Sequence, residues 1–433
     1  MSPITIGIIA FIALLVILFI GIPVSSAMGI VGVAGIILLL TPGAAFTKMG
    51  ITPYETLQAY NYAVMPMFIM MAQIIAYTGV GEALYTAFYR IIGRFRGGLA
   101  MATIIACGIF AAISASSIAT AMTIGMIALP EMRKRNYGDK LATGSIAAGG
   151  TLGVMIPPSG ILIFYGIMTS QNITKLFMAG IIPGLLTITV FCIIIQIVCR
   201  RHPEEGPPAP KFSGKEMWEG LKGCIDILIL IVLVLGGMFI GWFTPSEAGA
   251  IGAAGAIVLT ALRRKLTVKN FFNAIKGTLE NTGMLYFILI GGQLMNYFMS
   301  VSGLPTALVD LVREMNLSAT AVIICVIVVY LFLGCFMDGL PMILLTIPVI
   351  YPLITSLGID PIWFGIVATF CLQMAVLTPP VGVNVYVVKG LDKSLPIWTV
   401  FKGAMPFLIG QVICVALLII FPQLVTWLPS LIK

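Results

Sequence analysis

A chain of 433 residues with 60% hydrophobic and only 9% charged residues cannot cover itself with the roughly one-quarter charged composition of a soluble domain, and its mean hydropathy of +1.10 marks a polytopic membrane protein. The net charge of +8 would suit nucleic acid, but Lys and Arg cluster in a few short loops, which is the positive-inside pattern of membrane proteins. Nucleic acid is excluded as a partner, and membrane lipid is expected around nearly all of the chain.

Read in order, apolar runs near the roughly 20 residues needed to cross a bilayer predict spans at 4–20, 27–40 and 61–77. The first lacks a basic flank and an A-x-A cleavage site, so it reads as a retained span and not as a signal peptide. An amphipathic stretch, 81–95, follows and ends in Arg90, Arg94 and Arg96. About thirty apolar residues, 98–130, then lead to a second basic cluster, Arg133, Lys134 and Arg135. A single crossing would put the two clusters on opposite sides of the membrane, against the positive-inside rule, so 98–130 is predicted to be a re-entrant hairpin. Its tip falls at Ser114-Ala115-Ser116-Ser117.

The segment 141–169 is apolar but contains Ile156-Pro157-Pro158-Ser159-Gly160. Two prolines remove two backbone donors and glycine gives no support to a helical path, so this is a broken helix. A return span at 176–198 delivers Arg200 and Arg201, and the polar, proline-bearing stretch 201–223 reads as a cytoplasmic linker. The second half repeats the order: spans at 225–243, 248–262 and 284–299, an amphipathic arm at 304–315, a hairpin at 319–352 with its tip at 334–339, a broken helix at 362–388 around Thr378-Pro379-Pro380-Val381-Gly382, and a last span at 404–424.

A shift of 222 residues brings Pro23 onto Pro245, Thr56 onto Thr278, Pro130 onto Pro352, the first proline pair onto the second and Gly160 onto Gly382. The expected architecture is an all-α polytopic protein with an inverted-topology repeat: 1–200, linker 201–223, and 224–433. Five crossings per half invert the second copy relative to the first, place both termini on the outer, periplasmic side, and leave only Lys48, Lys175, Arg313 and Lys433 outside among 24 Lys and Arg.

Broken helices recurring in two halves point to a transporter's binding site. A half-helix N-terminus suits an anionic group, and free carbonyls with hydroxyls suit a desolvated cation such as sodium. The small residues Ser114, Ser116, Ser117, Gly153, Ser159, Gly160, Gly334, Gly339, Gly382 and Asn384 let backbone act as ligand, although Ser and Gly in membrane helices also serve close packing. Two site pairs are expected, hairpin one with break one and hairpin two with break two. Asp338, an acid inside the second hairpin tip, is costly to bury and so a site residue by default. Glu247 follows Thr244-Pro245-Ser246, a helix-capping pattern, while Trp242, Trp363 and Trp427 near span ends read as interfacial anchors. With no phosphate loop, no HExxH and a single histidine, His202, in a polar loop, neither ATP-driven pumping nor hydrolysis is supported. Eight cysteines without a CxxC pair give no zinc site, and no cofactor is expected.

The motifs IPPSGILIFYG, TPPVGVNVYVV, SASSIAT and TPSEAGAIGA resemble the large membrane subunit of tripartite ATP-independent periplasmic (TRAP) transporters, over essentially the whole chain. The resemblance implies a bacterial inner-membrane, elevator-type secondary transporter and not an enzyme. It is driven by sodium and fed by a soluble periplasmic substrate-binding protein, with a separate small membrane subunit of about four helices. It implies sodium and substrate at the tips and breaks, near Ser114, Ser116, Ser117, Pro157, Ser159, Gly334, Asp338, Thr378, Pro379 and Asn384. Joined with the backbone-ligand reading, the sodium set is Ser114, Ser117, Gly153, Pro157, Gly334, Asp338, Gly339, Thr378 and Pro379, and the substrate set is Ser114, Ser116, Ser159, Asp338 and Asn384. Family substrates are organic anions such as carboxylates and sulfonates, and the arms 81–95 and 304–315 would brace the moving domain. The alternative is a stand-alone sodium- or proton-coupled elevator carrier for dicarboxylates, without a binding protein.

Overall fold

The computed structural model describes residues 2–335, 337 and 339–431. Helices and turns account for every regular element among them. The first half consists of α1 (Pro3–Phe19), α2 (Val24–Leu39), α3 (Pro42–Gln58), α4 (Val64–Ala76), α5 (Val80–Ile92), α6 (Gly98–Ser114), α7 (Ser117–Lys134), α8 (Asp139–Met155), α9 (Gly160–Thr169) and α10 (Ile173–Arg201). A short helix, α11 (Gly214–Lys222), precedes α12 (Ile225–Ile231), a π-helical turn (Val232–Gly236) and α13 (Gly237–Ile240). Then come α14 (Pro245–Leu262), α15 (Val268–Ser302), α16 (Leu304–Glu314), α17 (Ala319–Gly334), α18 (Gly339–Ser356), α19 (Pro361–Ala375), α20 (Val383–Leu391), α21 (Ile397–Ile420) and α22 (Gln423–Thr426).

Local chemistry sets most of these starts. Ser116, Ser159, Asn172 and Ser318 each accept a backbone N–H in the first turn of the helix they open. Thr244 and Glu247 form a reciprocal capping box at α14, the expected role of that acid. Among the described residues, six helices can cross a membrane by length and hydropathy, or eight when each bent pair counts as one span. The ten crossings read from the sequence include α1 and α2, which at 17 and 16 residues are shorter than a full span, and the broken segment 362–388, which the structure divides between α19 and α20.

The 222-residue offset reappears in the element starts: Pro3 and Ile225, Ser117 and Gly339, Asp139 and Pro361. One departure is informative. The bent pair α3–α4, which turns by 59° at its break, corresponds to the single 35-residue helix α15. The sequence reading missed α3 and began the third span of each half too late, because Lys48, Pro53 and Glu55 in the first half and Lys269, Lys276 and Glu280 in the second interrupt the apolar run.

Packing is closest where glycines let backbones meet. A Cβ on Gly32 would lie 2.8 Å from the Leu294 carbonyl carbon, and one on Gly291 would lie 2.3 Å from Ser25 O, so α2 and α15 cross in contact. Gly144 of α8 and Gly403 of α21 meet in the same way, with 2.1 Å from a Gly144 Cβ to Gly403 O. Every residue from Leu141 to Met155 of α8 is buried, because α6, α7, α19 and α21 enclose it.

Two readings need correction. Trp363 is no interfacial anchor: it is 8% exposed and its Nε1 donates to Leu418 O at 3.0 Å, whereas Trp242 and Trp427 are exposed as expected. The stretch 201–223 is also more than a linker. Gly97 N donates to Gly206 O, Ala209 N to Gly93 O and Gly138 N to Glu205 O, so it straps the base of the first hairpin. The capping box of Ser213 and Glu216 then starts α11, which lies against α5, where Arg90 Nη1 donates to Glu216 O at 2.9 Å.

Candidate functional site

The first hairpin turns where the sequence places it. Helix α6 ends at Ser114, Ala115 takes a left-handed conformation, and Ser116 caps α7 by accepting the Ala119 N–H at 3.3 Å. Ser114 Oγ and Thr120 Oγ1 are 2.7 Å apart, and Thr120 Oγ1 donates to Ser116 O at 2.8 Å. At 17 residues, α6 extends about 25 Å, short of the roughly 30 Å hydrocarbon core.

The first break holds Pro157 and Pro158 across a cis bond. Ser159, fully buried, restarts the chain as α9 by accepting the Leu162 N–H and donating back to Val154 O. The second break is built alike. Thr378 Oγ1 donates to Met374 O at 2.8 Å, Pro379 and Pro380 are joined by a cis bond, and Gly382, at φ 52°, turns the chain into α20. That left-handed turn is where glycine is needed.

These elements converge. Tip one sits on the end of α8, where a Cβ on Gly153 would lie 2.6 Å from Ser116 O and 2.9 Å from Ser117 N, and Gly160 faces Ala115 O. Ser117 Oγ donates to Asn384 Oδ1 at 2.9 Å. Asn384, fully buried in the first turn of α20, donates in turn to Ala147 O at 3.1 Å. Tip two sits on α19, with 2.2 Å between a Gly334 Cβ and Ala375 Cβ, while Gly339 faces both Leu372 of α19 and Ile161 of α9.

The two expected pairs are therefore not separate. Hairpin one touches break one through Gly153 and Gly160 but bonds to break two through Asn384, and hairpin two reaches α9. Ser114, Ser116, Ser117, Gly153 and Asn384 come together; Pro157 and Ser159 are buried beside them. Gly334 and Gly339 pack on α19 in the second half, and Thr378 and Pro379 belong to the second break. Asp338 lies outside the described residues. The result is a partly buried seam of half-helix ends rich in hydroxyl, amide and carbonyl groups, suited to a small cation and an anionic group.

A model of the family described as "Tripartite ATP-independent periplasmic transporter, DctM component" matches residues 11–424. The chain belongs to this family. Among similar proteins, the C4-dicarboxylate TRAP transporter large permease protein DctM of Pseudomonas aeruginosa is 32% identical over 91% of this chain and 90% of its own. The sialic acid TRAP transporter large permease protein SiaM of Vibrio cholerae is 30% identical over 96% of both chains. The ectoine TRAP transporter large permease protein TeaC of Halomonas elongata is 31% identical over 85% of this chain and 86% of its own. In fold, this TRAP large permease is similar to the Alcanivorax borkumensis YdaH transporter, with a TM-score of 0.61 at 14% identity over 89% of this chain and 90% of that one.

The permease also contains a polar cluster that sequence reading missed. Thr151 Oγ1 on α8 accepts from Gln373 Nε2 on α19 and Gln411 Nε2 on α21, each at 3.1 Å. All three residues are fully buried. Both glutamine Oε1 atoms lack a hydrogen-bond partner among the described residues. Thr151 and Gln373 are related by the 222-residue offset, and that relation was the one signal that could have singled them out.

On the basic side, Arg133 at the end of α7 donates to Asp139 of α8 at 3.1 Å and to Asp392 at the end of α20. The Ser394 side chain and backbone N–H, with Arg133 beside them, hold the Asp392 carboxyl down at about 2.

Proposed function

We propose that this chain is the large subunit of a transporter importing a small organic anion, a carboxylate or sulfonate, by sodium symport with an elevator motion. Family membership supports the transport class. The Ser117–Asn384 hydrogen bond carries the mechanistic reading, because it joins the first hairpin tip to the second break. A unit tied together across the two halves can move as one body while the arms α5 and α16 stay with the remaining spans.

In this reading sodium is coordinated by hydroxyls and backbone carbonyls of Ser114, Ser117, Gly153, Pro157, Gly334, Asp338, Gly339, Thr378 and Pro379. The anion is held by Ser114, Ser116, Ser159, Asp338 and Asn384, with the N-termini of α7, α9 and α20 supplying positive potential. A periplasmic binding protein delivers the anion and a small four-helix membrane subunit completes the assembly in the inner membrane. The repeats 1–200 and 224–433, joined by 201–223 on the cytoplasmic side, leave both termini in the periplasm.

The test is uptake into proteoliposomes containing the whole tripartite assembly, with labelled C4-dicarboxylate, sialic acid and ectoine offered in turn. Accumulation requires an inward sodium gradient and falls at least about tenfold, or 1.4 kcal/mol, in Ser117→Ala. Uptake that is undiminished when potassium replaces sodium contradicts symport.

A further inference from the structure

Away from the hairpin tips and the Thr151 cluster, two polar stripes face each other. On α3, Lys48, Thr52, Glu55 and Thr56 share one face; on α15, Gln293, Asn296, Tyr297 and Ser300 share another. Both line a cavity of about 450 Å³ that Ala59 and Tyr62 complete, within the size range of small-ligand sites. Lys48 is its one cation. The ammonium reaches Glu55 at 3.2 Å and lies 5.4 Å over the Tyr297 ring.

The cavity holds more hydrogen-bonding capacity than the protein uses. Thr52 is 2% exposed and its Oγ1 has no partner among the described residues. Gln293 Nε2 donates to Tyr62 Oη at 3.2 Å, which leaves the tyrosine hydroxyl hydrogen free to donate into the cavity. Glu55, with its side chain 58% exposed, can swing into water, and such an exposed ion pair exchanges readily for another anion.

We propose that this cavity binds a small hydroxycarboxylate: Lys48 and the Asn296 amide take the carboxylate, Thr52, Tyr62 and Ser300 take hydroxyls, and the Tyr297 ring covers the carbon skeleton. With Glu55 swung into water, the one cation, Lys48, favours a single negative charge over a phosphate or a dianion. The site is distinct from the seam at the tips. It rests on the proposed function only in taking an organic anion as ligand.

The test measures how fast Lys48 of the purified full chain reacts with an amine-labelling reagent, read by peptide mass spectrometry, in gluconate, lactate or chloride at equal ionic strength. Gluconate or lactate slows labelling in a saturable way, about fivefold at four times Kd, whereas chloride does not. Asn296→Leu abolishes this protection while keeping the unprotected labelling rate and the melting temperature. The pair Ser117→Ala and Asn384→Ala, which tests the tip reading through uptake, leaves protection intact. Lack of protection by both anions, protection that survives Asn296→Leu, or protection lost in the tip variants overturns the proposal.

Discussion

At the scale of single residues, Asn384 decides the most. Its side chain spends one bond on Ser117 and one on Ala147 O, with no exposure to solvent. Asn384→Ala removes two hydrogen bonds made by a buried side chain, so thermal unfolding should show a loss of about 1–3 kcal/mol together with loss of uptake. Thr151 and the two glutamines make a second, ordered prediction. Thr151→Val strands two amide donors, whereas Gln411→Leu removes an oxygen that already lacks a partner. Melting temperatures should fall more for Thr151→Val, and the reverse order would refute this view of the cluster. Sequence reading found Asn384 because it follows a proline pair by four residues; it passed over Gln373 and Gln411 because a lone amide in an apolar helix has no local pattern. Trp363 was misread for a related reason: proximity to a span end says nothing of which face is buried.

At the scale of elements, the hairpin tips and breaks were legible because proline pairs, glycines and serines interrupt apolar runs in ways a helix cannot absorb. The helices α3 and α11 were not, since each carries charges that resemble a loop, although the Ser213 to Glu216 spacing of α11 is a capping box. The contact of each tip with the break of its own half was legible, but the link between the halves was not, because the bond from Ser117 to Asn384 spans 267 positions. That docking gives a steric prediction. Gly153→Val should push tip one off α8, given 2.6 Å from even a Cβ to Ser116 O, costing about 1–3 kcal/mol and most uptake. Denaturation of the purified protein and transport together check it. Asp392, held by Ser394 and by Arg133, makes a pH prediction. Asp392 titrates at about 2 when folded and at about 3.9 when unfolded, so its contribution is fully present above the higher value and is lost as pH falls through the lower one. Asp392→Asn should therefore flatten the stability profile between these pH values and change its slope little near neutrality.

For the whole molecule, the repeat was legible because two copies of one proline motif lie in the same register, and element starts follow that register across both halves. The exception is the kinked α3–α4 pair against the continuous α15, and this asymmetry opens the polar cavity between α3 and α15. What neither half contains alone is the seam, since hairpin one, break one and break two all contribute to it. Sodium binding at this seam is tested by thermal unfolding of the purified chain in sodium, against potassium or choline at equal ionic strength, which needs no knowledge of the substrate. A bound ion at a hundred times its Kd adds about 2.7 kcal/mol, so the account predicts a sodium-selective rise in melting temperature that disappears in Ser117→Ala and Asp338→Asn. Equal stability in all three cations would contradict it.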